Sequence, residues 1–154
     1  MGERSKKAVE LFKQGYNCSQ SVFAAFADLY GMDIETALRV SSSFGGGMGR
    51  MREVCGAVSG MFMVAGMETG TVEGKDVEGK QRNYAVVQQL ADEYRKENGS
   101  IICRELLGLD NKLHTDTKPE ERTKEYYQKR PCVELVEQAA SMMEKFLEEN
   151  HKEQ

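Results

Sequence analysis

Apolar residues recur along most of this chain at intervals of three, four and seven, the period of an amphipathic helix. Ala8, Leu11 and Phe12 mark one face of a segment from about Arg4 to Gln14, and Gly15 is placed to end it. Asn17 is placed to cap a second helix, Cys18 to Tyr30, closed by Gly31, and Asp33 to cap a third, Ile34 to about Ser42. The glycines Gly45, Gly46, Gly47 and Gly49 then break regular structure before an apolar helix from about Glu53 to Met67. A polar connector leads to a long helix, Lys75 to Asn98, whose packing face carries Val77, Tyr84, Val87, Ala91 and Tyr94. Asn98-Gly99 stops it. Ser100 is placed to cap a short helix through Leu107, and the polar stretch Gly108 to Lys118 reads as a loop. Pro119 suits the first turn of a charged helix to Lys129, and Arg130-Pro131 resets the chain for a last helix, Cys132 to Asn150.

This pattern predicts an all-α, single-domain helical bundle of six to eight helices spanning residues 1–154, a length that suits one core. Two prolines, no tryptophan and many straight-chain residues agree with it. With 21 Lys plus Arg against 25 Asp plus Glu, the net charge of −4 argues against nucleic-acid binding through bulk positive charge. The first residues carry charge with no apolar run behind it, and the longest apolar stretch, Val54 to Met67, falls short of the roughly 20 residues a spanning helix needs. A cytoplasmic protein without a membrane span is the expectation, and there its thiols stay reduced unless they serve catalysis or sensing.

The four cysteines, Cys18, Cys55, Cys103 and Cys132, all fall at the start of a predicted helix. Unpaired amides and the positive end of the helix dipole favour an anion there, and a thiolate is such an anion. The residues therefore suit nucleophilic attack, disulfide exchange or metal ligation. Cys55, beside the glycine loop with Arg50 and Arg52, is expected to be the most reactive sulfur, and Cys103–Cys132 with Cys18–Cys55 is one possible pairing. Each cysteine also continues an apolar stripe, which is equally the mark of an inert core thiol. The gaps between them are long and no C-x-x-C pair occurs, so spacing gives a metal site little support.

The glycine segment lacks the G-x-x-x-x-G-K-[ST] of a phosphate loop and follows a helix rather than a strand, so no nucleotide is expected. Gly46, Gly47, Gly49 and Arg50 instead allow backbone amides to approach an anion, cofactor or sulfur closely. Gly56 and Gly60, one turn apart, allow another helix to pack against theirs. His114 reads as a solvated loop histidine, His151 as part of the tail, and the run from Lys118 to Arg130 as a solvated face. Tyr126 and Tyr127 stand where they would shield a site or pack a helix.

The contexts Y-N-C-S-Q-S-V, C-G-A-V-S-G after the glycine loop, C-R-E-L-L-G and P-C-V-E-L-V together resemble the C_GCAxxG_C_C family of redox-active proteins, over nearly the whole chain. The family's label writes glycine before its second cysteine, whereas Val54 precedes Cys55 here and Gly56 follows it. The resemblance implies a small bacterial or archaeal protein with a redox role, an oxidoreductase acting through its four cysteines with a redox partner it does not specify. The chain is also similar to a domain found with split-Soret cytochromes, which implies the alternative that Cys18, Cys55, Cys103 and Cys132 ligate an iron-sulfur cluster or zinc. A helical interaction protein with core cysteines, homo-oligomeric through the Lys75–Asn98 helix, is the third reading.

Overall fold

The computed structural model describes residues 2–110 and 114–152. Eight α-helices account for the fold: α1 Glu3–Lys13, α2 Cys18–Ala24, α3 Ile34–Ser41, α4 Gly56–Thr69, α5 Val77–Asn98, α6 Cys103–Leu106, α7 Lys124–Lys129 and α8 Cys132–Lys152. Among the described residues there is no strand, so the protein is all-α. None of these helices is long and apolar enough to cross a membrane.

Helix α4 is the centre. It is apolar on every side, and Ala57, Val58, Met61, Val64 and Ala65 are fully buried, as befits a helix surrounded by others. It packs against α2, α5 and α8, while α1 closes the bundle against α2 and α8. Phe12, Val22, Phe26, Leu90, Tyr94, Val136 and Met143 complete the core. The approach of α2 to α4 depends on glycine. A Cβ at Gly60 would lie 2.9 Å from the Ser19 carbonyl oxygen, and one at Gly56 would lie 3.1 Å from the Cys18 Cβ. Those two positions carry the first cysteine helix onto the second.

Helix starts follow local chemistry where a cap is present. Asn17 accepts from the Gln20 amide and Gln20 returns the bond to the Asn17 amide, a capping box. Asp33 caps α3 through the Thr36 amide, and Asp76 caps α5 through the Gly79 amide.

Several expectations need correcting. The helix expected over Cys18 to Tyr30 ends at Ala24 and continues as a 3₁₀ turn, Ala27–Tyr30. The helix expected from Glu53 begins at Gly56, because Val54 forms an antiparallel bridge with Ile102. Pro119 starts no helix, since α7 begins at Lys124 behind a Thr123 cap. Ser100 accepts from the Ile102 amide, but Ile102 itself precedes α6. Helix α5 reaches the core from Val86 and Val87 onward, through Leu90 and Tyr94, while Val77 and Tyr84 are exposed. Of the loop expected over 108–118, residues 111–113 lie outside the described residues.

Candidate functional site: four thiols around one cavity

All four cysteines stand at helix starts: Cys18, Cys103 and Cys132 open α2, α6 and α8, and Cys55 is the residue before α4. All four line a single cavity of 370 Å³. Its other walls include the glycine loop (Gly45, Gly46, Gly47, Gly49), Arg50 and Arg52, the side chains of Phe12, Leu106, Leu107 and Leu135, and the segment carrying Glu120, Arg122, Tyr126 and Arg130. The residues assigned from sequence to ligand binding, Gly46, Gly47, Gly49 and Arg50, therefore lie on the same wall as the sulfurs.

Two sulfurs are placed by one local device. The Cys55 amide donates to the Ile101 carbonyl at 2.8 Å, and the Cys103 amide donates to the Glu53 carbonyl at 2.6 Å. These bonds flank the Val54–Ile102 bridge and set the start of α6 beside the start of α4. The glycine loop packs against the same corner. From Gly46 to Arg50 every residue has positive φ, and Arg52 follows suit at 62°. For Met48, Arg50 and Arg52 this conformation costs about 1–2 kcal/mol each. Bonds from outside the loop hold it: the Arg104 amide and guanidinium both donate to the Arg52 carbonyl, at 3.2 and 3.1 Å. Arg50 pairs with Asp116 at 3.2 Å. Gly47 admits no side chain, because its Cβ would lie 2.6 Å from the Cys103 Cβ.

The sulfurs then divide by their partners. Cys55 is buried and faces the Tyr94 hydroxyl at 3.6 Å. Burial pushes its thiol up to about 11, against the opposing pull of Tyr94 and the Val58 and Ala57 amides. Cys103 is also raised by burial, in part offset by Arg52, whose guanidinium donates to its sulfur at 3.7 Å. Cys18 and Cys132 are half-buried, and each acts on the ionisation of the other. Cys132 falls to about 7, chiefly through the neighbouring Cys18 thiol, with further help from the Tyr126 hydroxyl and the Arg130 and Arg122 guanidiniums. The start of the 21-residue helix α8 adds its dipole in the same direction. Cys18 is raised well above its ordinary value by the neighbouring Cys132 sulfur, by burial and by Cys55 and Cys103. Within the pair the direction is down for Cys132 and up for Cys18, because the arginines and Tyr126 act on Cys132.

Cys55 was expected to be the most reactive sulfur, whereas burial raises its thiol. It lies beside the arginine loop in sequence, yet Arg52 turns to Cys103 and Cys55 is left with an apolar burial. Of the sulfurs, it is Cys18 and Cys132 that act most strongly on one another, rather than Cys18 on Cys55 as in the expected pairing.

A four-thiolate cage would bring the sulfurs to one point, and the structure does not do so. Among the described residues, no three His, Cys, Asp or Glu side chains converge closely enough to hold a metal ion. Cys55 and Cys103 are engaged with Tyr94 and Arg52 instead. The residues as arranged do not fit an iron-sulfur cluster or zinc.

Sequence reasoning missed Arg122, Arg130 and Tyr94. Glu120, Arg122 and Arg130 belong to the run read as a solvated face, but they line the cavity. For Arg130 the signal was present, a cation two residues before a cysteine that opens a helix. Nothing local marks Arg122, whose guanidinium donates to the Phe12 and Tyr16 carbonyls at 2.8 and 2.9 Å. Tyr126 reaches the site as one of its two expected roles. His114 lies near the Asp110 carbonyl at 3.4 Å, away from the cavity wall. His151 contacts Glu68 at 2.7 Å rather than hanging free in the tail.

The protein is thus an all-α domain that gathers four helix-start thiols around one cavity. The family described as Putative redox-active protein (C_GCAxxG_C_C) matches residues 16–146, which include all four cysteines and the glycine loop. The chain belongs to that family. No curated protein and no solved structure matches it.

Proposed function

We propose that the protein is a dithiol oxidoreductase in which Cys132 is the attacking thiolate and Cys18 the resolving thiol. The observation that carries this reading is that Cys18 and Cys132 line one cavity together with Arg122, Tyr126 and Arg130, where Cys132 is brought down to about 7. At neutral pH about half of such a thiol is ionised, against a few per cent of an ordinary cysteine. A thiol with its pKa near ambient pH also combines a high thiolate fraction with good nucleophilicity.

Cys132 attacks one sulfur of a disulfide, forms a mixed disulfide and releases one thiolate. The negative charge on Cys132 is thereby lost, and with it a principal cause of the raised Cys18 pKa. Cys18 gives up its proton and displaces the second thiolate, leaving a Cys18–Cys132 disulfide. Two electrons pass from the protein dithiol to the substrate disulfide, and the two released thiolates take up the protons. A dithiol reductant restores the protein by the reverse exchange. Cys55 and Cys103, with raised pKa values, stay protonated and support the wall.

The test uses protein purified without oxygen and mixed with hydroxyethyl disulfide, with thiols, iron and zinc measured on one sample. Loss of two thiols per chain is expected, with no loss in Cys132→Ser and arrest at the mixed disulfide in Cys18→Ser. Stoichiometric cysteine-bound iron or zinc, or four unreactive thiols, would overturn the reading.

A further inference from the structure

The charge around the cavity limits what can enter it. Four arginines line it, Arg50, Arg52, Arg122 and Arg130, with one carboxylate, Glu120. Glu120 is taken up by Arg130, and Arg50 is matched by Asp116. Among the described residues Arg52 and Arg122 make no carboxylate contact within 4.0 Å, although Arg52 acts on the Asp116 carboxylate from farther off. Arg52 turns its guanidinium to the Cys103 sulfur. Arg122 is fixed by the Phe12 and Tyr16 carbonyls and lies 4.0 Å over the Phe12 ring. Carbonyl dipoles and a ring face orient a guanidinium without neutralising it, and both side chains are half-buried, where charge is less screened than in water.

We propose that the cavity takes a small organic disulfide bearing carboxylates, with Arg52 and Arg122 receiving the carboxylate while Cys132 attacks the sulfur. This rests on the dithiol reading of Cys18 and Cys132. Guanidinium binds carboxylate in a two-pronged, planar fashion that also sets orientation. The apolar wall of Leu106, Leu107 and Leu135 accommodates the carbon chain. Size points the same way: 370 Å³ lies at the small end of ligand cavities. Cys18 and Cys132 are set in the cavity wall, so a disulfide buried in another protein would have to insert a chain to reach them. The Cys132 thiolate offsets part of the positive charge before reaction. In the mixed disulfide that offset is gone, and the bound anionic half is held more strongly while Cys18 completes the second displacement.

The test compares three disulfides of matched size and different charge: dithiodipropionate, a dianion; hydroxyethyl disulfide, neutral; and cystamine, a dication. The rate of oxidation of the oxygen-free reduced protein is measured with each and divided by the rate of mercaptoethanol thiolate with the same compound, which cancels leaving-group differences. The dianion should exceed the neutral compound by about tenfold at low salt and the dication should fall below it, the spread shrinking as salt rises. Arg52→Gln and Arg122→Gln should each lower the dianion-to-neutral ratio about threefold or more, a ratio insensitive to any change in Cys132 ionisation. Equal normalised rates for the three, or a ratio unchanged in both variants, would overturn this proposal and leave the dithiol reading standing. Failure of the neutral disulfide to react at all would remove the dithiol reading and this proposal together.

Discussion

The two sides of the cavity present the same residue type in the same structural position with opposite outcomes. Cys55 and Cys132 both stand at the start of a long helix, yet one thiol is pushed up to about 11 and the other brought down to about 7. The helix terminus is common to both and so cannot be the cause. What differs is burial and the neighbours. Cys55 is enclosed with Tyr94 as its side-chain partner, whereas Cys132 has a second thiol, a phenol and two guanidiniums. A dipole contribution of about 0.3–1 kcal/mol is less than the cost of burying a thiolate in apolar surroundings. Cys103 makes the same point, since even a guanidinium at 3.7 Å leaves its pKa raised.

The largest test of this contrast removes one sulfur from each side. Cys132→Ser should lower the rate of disulfide exchange by about a hundredfold or more, because the hydroxyl does not ionise near neutrality. Cys55→Ala should leave that rate within about threefold while costing on the order of 1–2 kcal/mol of stability, read from urea unfolding midpoints. A comparable loss of exchange in both variants would erase the distinction.

A second test follows ionisation with pH. Alkylation of Cys132 should rise through a midpoint near 7. Below that midpoint the thiolate takes up a proton and the rate should fall about tenfold per pH unit. Arg130→Gln and Tyr126→Phe each remove a group that favours the thiolate, so each should raise the midpoint, by a few tenths to about one unit. Cys55, raised by burial, should remain unmodified over the same range.

The scaffold offers a third. Gly60→Ala sets a methyl 2.9 Å from the Ser19 carbonyl oxygen and should cost about 1–3 kcal/mol, since backbone must shift. It should also slow exchange, because α2 carries Cys18. Tyr94→Phe should have the smallest effect: about 1 kcal/mol of stability from the lost hydroxyl contact, with the Cys132 midpoint unchanged.

These differences also mark what could be read along the chain. Helix starts at Cys18, Ile34 and Cys132 were legible because Asn17, Asp33 and Pro131 act on their own neighbours. The start of α4 was misplaced because Glu53 to Cys55 is drawn into pairing with residues 101–103, a partner remote in sequence. For the same reason the cysteines could be recognised as a set but not paired. Which sulfur meets which depends on how α2, α4, α6 and α8 converge, and no spacing records that. Proximity of Arg50 and Arg52 to Cys55 in the chain does not become proximity in space. The left-handed residues Gly46 to Arg50, and Arg52, belong to a loop that turns Arg52 to Cys103 and Arg50 to Asp116.

The central claim is that Cys18 and Cys132 form the working pair. The most direct measurement is peptide mapping by mass spectrometry after the oxygen-free reduced protein receives one equivalent of a disulfide oxidant. A Cys18–Cys132 crosslink, with Cys55 and Cys103 recovered as free thiols, is the predicted result. A crosslink containing Cys55 or Cys103 would contradict it.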